Sequence, residues 1–63
     1  MDYLNHLIEY EQGTLAPKET LELFSYLIGS GLAFTLQGHY GRTAIALIED
    51  RVIDIDGTIL VEV

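Results

Sequence analysis

Two aspartates separated by a single residue, Asp54 and Asp56, are the sharpest chemical signal in the chain. They follow Val52 and Ile53, interleave with Ile55 and lead into Gly57-Thr58. In an extended strand alternate residues face the same side, so both carboxylates would point into one site. Paired carboxylates suit nucleophilic or acid–base work, which needs further charged groups around them. The only lysine is Lys18, far upstream, and five residues follow Thr58. The pair therefore reads as a turn with two solvated aspartates.

Gln37-Gly38-His39-Tyr40-Gly41-Arg42 is the second candidate. Glycines let backbone N–H groups converge, a helix N-terminus adds partial positive charge, and Arg42 offers a fork of donors, which together suit an anion. His39 and Tyr40 would add donors or an aromatic stacking face. A structural role fits the same residues. Gly38 and Gly41 supply backbone freedom or close helix approach, and Tyr40 packs on the core with its hydroxyl outward. Arg42 at a helix start is opposed by the dipole and calls for a carboxylate partner among the ten acids. Gln37, His39, Tyr40 and Arg42 are thus the candidate interaction residues, with a ligand site and a purely structural turn both open.

No other residues assemble into a catalytic, cofactor or metal site. Ser25, Ser30 and Thr43 have no evident base and suit capping or core hydroxyl roles. His6 falls on the polar side of the first helix, and with His39 it makes at most two metal ligands. Tyr3, Tyr10 and Tyr26 occupy helical positions suited to half-buried packing, and Glu9, Glu11, Glu19 and Glu22 to solvated faces.

The elements that must position these groups follow from periodicity. Residues 2–12 read as an amphipathic helix with Leu4, Leu7 and Ile8 on its apolar side, Asp2 as N-cap and Gly13 as terminator. A second helix starts at Pro17 and runs through Leu21, Phe24, Leu27 and Ile28 to the break at Gly29-Ser30-Gly31. Residues 32–36 suit either a helical turn or an extended segment. Residues 37–42 read as a turn, and a third helix, apolar on most sides and so central, spans Thr43 to about Arg51. The tail is rich in β-branched residues flanking Asp56-Gly57, a strong hairpin signal. The expected fold is mainly α with a C-terminal β-hairpin (α+β): one domain over 1–63, with a helical core at 2–51 and a two-stranded hairpin at 52–63.

Size and charge bound the function. A chain of 63 residues with ten acids against three bases carries a net charge of -7 and no cysteine. Common catalytic scaffolds run to roughly 100 residues or more. Without cysteine there is no disulfide or cysteine–zinc staple, so the core is self-sufficient or completed by a partner, and a homodimer is an open possibility. The order of three helices and a hairpin fits a winged helix-turn-helix, yet acids outnumber Arg42 and Arg51 across the third helix and tail, so direct nucleic-acid binding is not expected. The N-terminus has no signal-peptide pattern and no run approaches the roughly 20 apolar residues of a membrane span, so a cytoplasmic, membrane-free location is expected.

Three resemblances bear on function. Val52 to Thr58 resembles the first motif of haloacid-dehalogenase-like phosphatases, which implies Asp54 as nucleophile, Asp56 as acid/base and a glycine turn at a magnesium site; the lysine and further metal-binding carboxylates that this chemistry needs on later strands are missing. Asp54-x-Asp56-Gly57 also looks like part of an EF-hand calcium loop, without the further ligands and closing glutamate that such a loop needs. Leu27-Ile28-Gly29-Ser30-Gly31-Leu32 followed by Leu36-Gln37-Gly38-His39-Tyr40-Gly41-Arg42-Thr43-Ala44, with Glu11-Gln12-Gly13-Thr14-Leu15 and Leu23-Phe24, resembles a family of very short, uncharacterised bacteriophage and prophage proteins. Its Leu-Gln-Gly-x-Tyr-Gly-Arg-x-Ala motif lies within a match over residues 2 to about 49, and Arg51 to Val63 falls outside it. The resemblance implies phage origin and a helical core, and carries no activity.

The expectation is therefore a non-enzymatic accessory protein that works by protein–protein contact in the host cytoplasm, modulating a host nucleic-acid enzyme or defence component. Two alternatives stand beside it: an assembly protein that self-associates through its hairpin, and a sensor of a small anionic ligand at the Gln37–Arg42 turn.

Overall fold

A computed structural model describes residues 3–36 and 38–61. Three helices form, α1 (Tyr3–Gln12), α2 (Pro17–Ser30) and α3 (Gly38–Glu49), with a 3-10 turn at Leu32–Phe34 between the last two. The turn settles residues 32–36 as helical in character, and Asp2, expected to cap α1, lies outside the described residues.

Each helix ends where a left-handed residue lets its last carbonyls be satisfied. At α1, Gly13 (φ 78°) donates to the Tyr10 carbonyl at 3.1 Å and Thr14 to that of Glu9 at 2.9 Å, the paired bonds of a Schellman end. Pro17 opens α2, where its missing N–H costs nothing, and Gly31 (φ 81°) closes it with a bond to the Ile28 carbonyl. α3 closes the same way without glycine. Arg51 (φ 58°) donates to Ile48 at 3.1 Å and Val52 to Leu47 at 2.9 Å.

α2 is the central helix, a place that the apolar pattern had suggested for α3. It supplies Leu23, Phe24, Leu27 and Ile28 to the core, joined by Ala33, Tyr40, Ala44 and Ile53. α1 docks through a stripe other than its aliphatic one. Tyr3, Leu7 and Tyr10 pack against the core while Leu4 and Ile8 remain more than half exposed. Spaced at i, i+4 and i+7, these three residues share one face, and Tyr3 stacks on Tyr26 of α2 at a centroid distance of 5.0 Å.

The C-terminal β-hairpin expected over 52–63 does not form. Among the described residues there is no strand, only an isolated antiparallel bridge between Ile53 and Ile59. Asp56-Gly57 acts as a local turn: Gly57 donates to the Asp54 carbonyl at 2.9 Å, and Asp54 to that of Thr58 at 2.7 Å. The ladder then stops because its next donor is taken. Leu60 N–H reaches the Val52 carbonyl at 2.8 Å, but Val52 N–H, the reciprocal donor of an antiparallel pair, is held by Leu47 at the end of α3. The fold is thus α rather than α+β, with no strands to form a wing; Glu62 and Val63 lie outside the described residues.

Candidate functional site

Within the segment read as a glycine-punctuated turn, residues 38–42 are helical: α3 begins at Gly38 rather than Thr43. Glycine in a helix interior costs about 1 kcal/mol relative to alanine, and tertiary contacts offset that cost here. Gly41 packs on the 3-10 turn, where a Cβ on it would stand 3.6 Å from the Ala33 carbonyl oxygen and 3.9 Å from Phe34 Cδ1, ordinary contact distances that alanine would also satisfy.

Forming a helix splits the candidate residues between two faces. Tyr40 turns inward, only 3% exposed, and its hydroxyl donates to Glu11 Oε2 at 3.0 Å. Its ring lies 5.8 Å from that of Tyr10 and 6.2 Å from that of Phe24. Burial, followed by the Glu11 hydrogen bond and the nearby Glu11 charge, pushes the Tyr40 phenol up to about 12. His39 is half-buried beside it, its ring 4.0 Å from that of Tyr40 and nearly parallel to that of Tyr10 at 6.2 Å. Tyr10, Phe24, His39 and Tyr40 therefore form an aromatic clasp that joins all three helices. The signal for it in the sequence was Glu11, whose role as the partner of Tyr40 could not be found without the helix packing.

Arg42 points the other way. It is exposed and lies back over Gly38, its Nη1 3.1 Å from where a Cβ on that glycine would stand. The carboxylate partner expected for it is not there: among the described residues no acid lies within ion-pair distance of Arg42. Starting α3 at Gly38 puts the Arg42 backbone in the second turn, but its guanidinium lies over the first residue of the helix, where the dipole opposes it. Gln37, the remaining candidate, lies outside the described residues.

The aspartate pair is committed to the tail turn. Asp54 Oδ1 accepts from Ile55 N–H at 2.7 Å and Asp56 Oδ1 from Thr58 N–H at 2.9 Å. The Thr58 bond holds the Asp56 carboxyl below its usual range. Nor is His6 simply solvated, because it is half-buried with Nε2 3.9 Å from Glu19 Oε2. Among the described residues, no three His, Cys, Asp or Glu side chains gather to hold a metal, no pocket opens, and no helix is long and apolar enough to cross a membrane.

A family model described as a domain of unknown function (DUF7417) matches residues 1–63. The chain belongs to this family. The match takes in Arg51 to Val63, the segment outside the motif resemblance, so the tail is part of the family's domain. No curated protein and no solved structure matches the chain. Among the described residues of the motif, those of the clasp turn inward and Arg42 on the outer face of α3 is exposed.

Proposed function

We propose that this protein is a non-catalytic bacteriophage accessory protein that acts in the host cytoplasm by protein–protein contact, modulating a host nucleic-acid enzyme or defence component. The observation that carries this reading is the partition of charge. Residues 23–48 contain no Asp or Glu and one fixed charge, Arg42, while all ten acids lie in the flanking segments. Those middle residues build most of the core and all of α3 except its last residue. The described acids of α1, of the start of α2 and of the tail are exposed and form a negative exterior, such as steers a molecule onto a basic surface and discriminates between partners more than it adds raw affinity.

The test is capture of host proteins by the full chain at rising salt. Recovery of a basic partner should fall steeply between about 0.05 and 0.5 M salt, as exposed charges become screened beyond a few Å. Binding that ignores salt would sink the electrostatic reading.

A further inference from the structure

The outward face of α3 carries Gly38, Arg42, Ile45, Ala46 and Glu49, all exposed. Ile45 keeps 48% of its surface in solvent, and Phe34, 54% exposed on the 3-10 turn, lies near Gly41. At its two ends the stripe bears opposite charges, Arg42 and Glu49, and among the described residues neither has an ion-pair partner. Seven residues apart, they lie on one line of the helix but about 10 Å apart along its axis, too far to meet within the chain.

From this spacing we infer that the face binds a second copy of the chain, α3 against α3 and antiparallel. A two-fold axis between Ile45 and Ala46 pairs position 42 of one copy with position 49 of the other. Arg42 then meets Glu49 of the second copy, Glu49 meets its Arg42, and Ile45 packs on Ala46 between them. A two-fold contact must be self-complementary, and this stripe is so in charge, shape and polarity: small apolar centre, opposite charges at equal distances either side. An acidic or a basic foreign protein would satisfy only one of its two ends. The inference rests on reading the protein as one that works by contact, and it leaves the acidic segments facing outward, doubled in number, for another partner.

A single helix pair buries less than the roughly 1,200 Å² of a stable interface, so the dimer is expected in the micromolar range. Sedimentation velocity on the full chain up to about 300 µM covers that range. Wild type should form a dimer. Arg42→Glu and Glu49→Arg should each weaken it about tenfold or more by setting like charges opposite each other. The combination R42E/E49R should restore it to within about threefold, because reversed pairs are again complementary. Ile45→Asp should leave a monomer, with unchanged circular dichroism showing that the exposed substitution spares the fold. A wild-type monomer throughout, single variants that dimerise normally, or a double variant no better than the singles would each overturn the inference. A monomer that still captures a basic protein in a salt-sensitive way overturns the dimer alone, whereas a dimer with no such capture overturns the reading of its external partner alone.

Discussion

Gly57 is pressed against Gly29: a Cβ on Gly57 would stand 3.0 Å from the Gly29 Cα and 2.6 Å from the Ser25 carbonyl oxygen. The Ser25 hydroxyl donates to the Gly57 carbonyl from the other side of the contact. The tail turn is thus seated on the backbone of α2, and two glycines permit it.

Replacing the two glycines should therefore give unequal results. Gly57→Ala adds a methyl into backbone at a φ of 94°, so strain and overpacking combine to cost about 2–4 kcal/mol. Gly29→Ala meets the Asp56 carbonyl oxygen at 3.1 Å, its other neighbours standing at ordinary contact distance, and gains about 1 kcal/mol of helix propensity in return. Urea denaturation of both variants checks the order; a Gly57→Ala protein as stable as wild type would refute the seating.

Ile53 makes the tail part of the core rather than an appendage to a helical domain. Its side chain is fully buried with Leu23, Phe24 and Leu27. Ile53→Ala should cost about 2–4 kcal/mol, a large share of what a domain this small has in total, roughly 0.1 kcal/mol per residue. Ile55→Ala, at a residue 75% exposed, should change the urea midpoint little. Equal effects at the two positions would contradict the packing.

The helix boundaries set by backbone chemistry were readable in the sequence. Pro17, Gly13 and Gly31 stand at the ends that they mark, because φ restriction and left-handed freedom act locally. What failed depended on long-range contacts. Gly38 and Gly41 suggested a turn until Tyr40 found Glu11 and Phe24 across the fold. Leu4 and Ile8 suggested the buried face of α1, and the larger rings of Tyr3 and Tyr10 took it. The hairpin failed over one amide, Val52 N–H, claimed by α3 before a second strand could use it. Of the candidate site, the residue types were legible, but their division between an inner clasp and an outer face required knowing that α3 begins at Gly38.

Tyr40 gives the fold a dependence on alkaline pH. Its phenol is raised from 10.0 to about 12, so the folded state resists ionisation that the unfolded chain accepts. The stabilisation is fully present below about pH 10 and is lost as pH rises from 10 through 12. Tyr40→Phe should lose about 1 kcal/mol at neutral pH with the Glu11 hydrogen bond, and should also flatten the decline of stability above pH 10. Urea midpoints at neutral and alkaline pH compare the two proteins; an unchanged alkaline slope would place the titration elsewhere.

Arg51 is the one non-glycine residue in the left-handed region among those described, at φ 58°. It stands where Gly13 and Gly31 stand at the other two helix ends, and its N–H makes the equivalent bond, to Ile48 at 3.1 Å. A side chain in that conformation costs about 1–2 kcal/mol, part of which glycine gives back through the greater freedom of the unfolded chain. The Arg51 side chain is exposed, and no acid among the described residues lies within ion-pair distance of it. Arg51→Gly should therefore stabilise the protein by about 0.5–1 kcal/mol, read as a higher urea midpoint with unchanged slope. Arg51→Ala keeps the backbone strain and should leave the midpoint near that of wild type. If alanine stabilised as much as glycine, the gain would come from removing the charge, and the left-handed end of α3 would carry no strain to relieve.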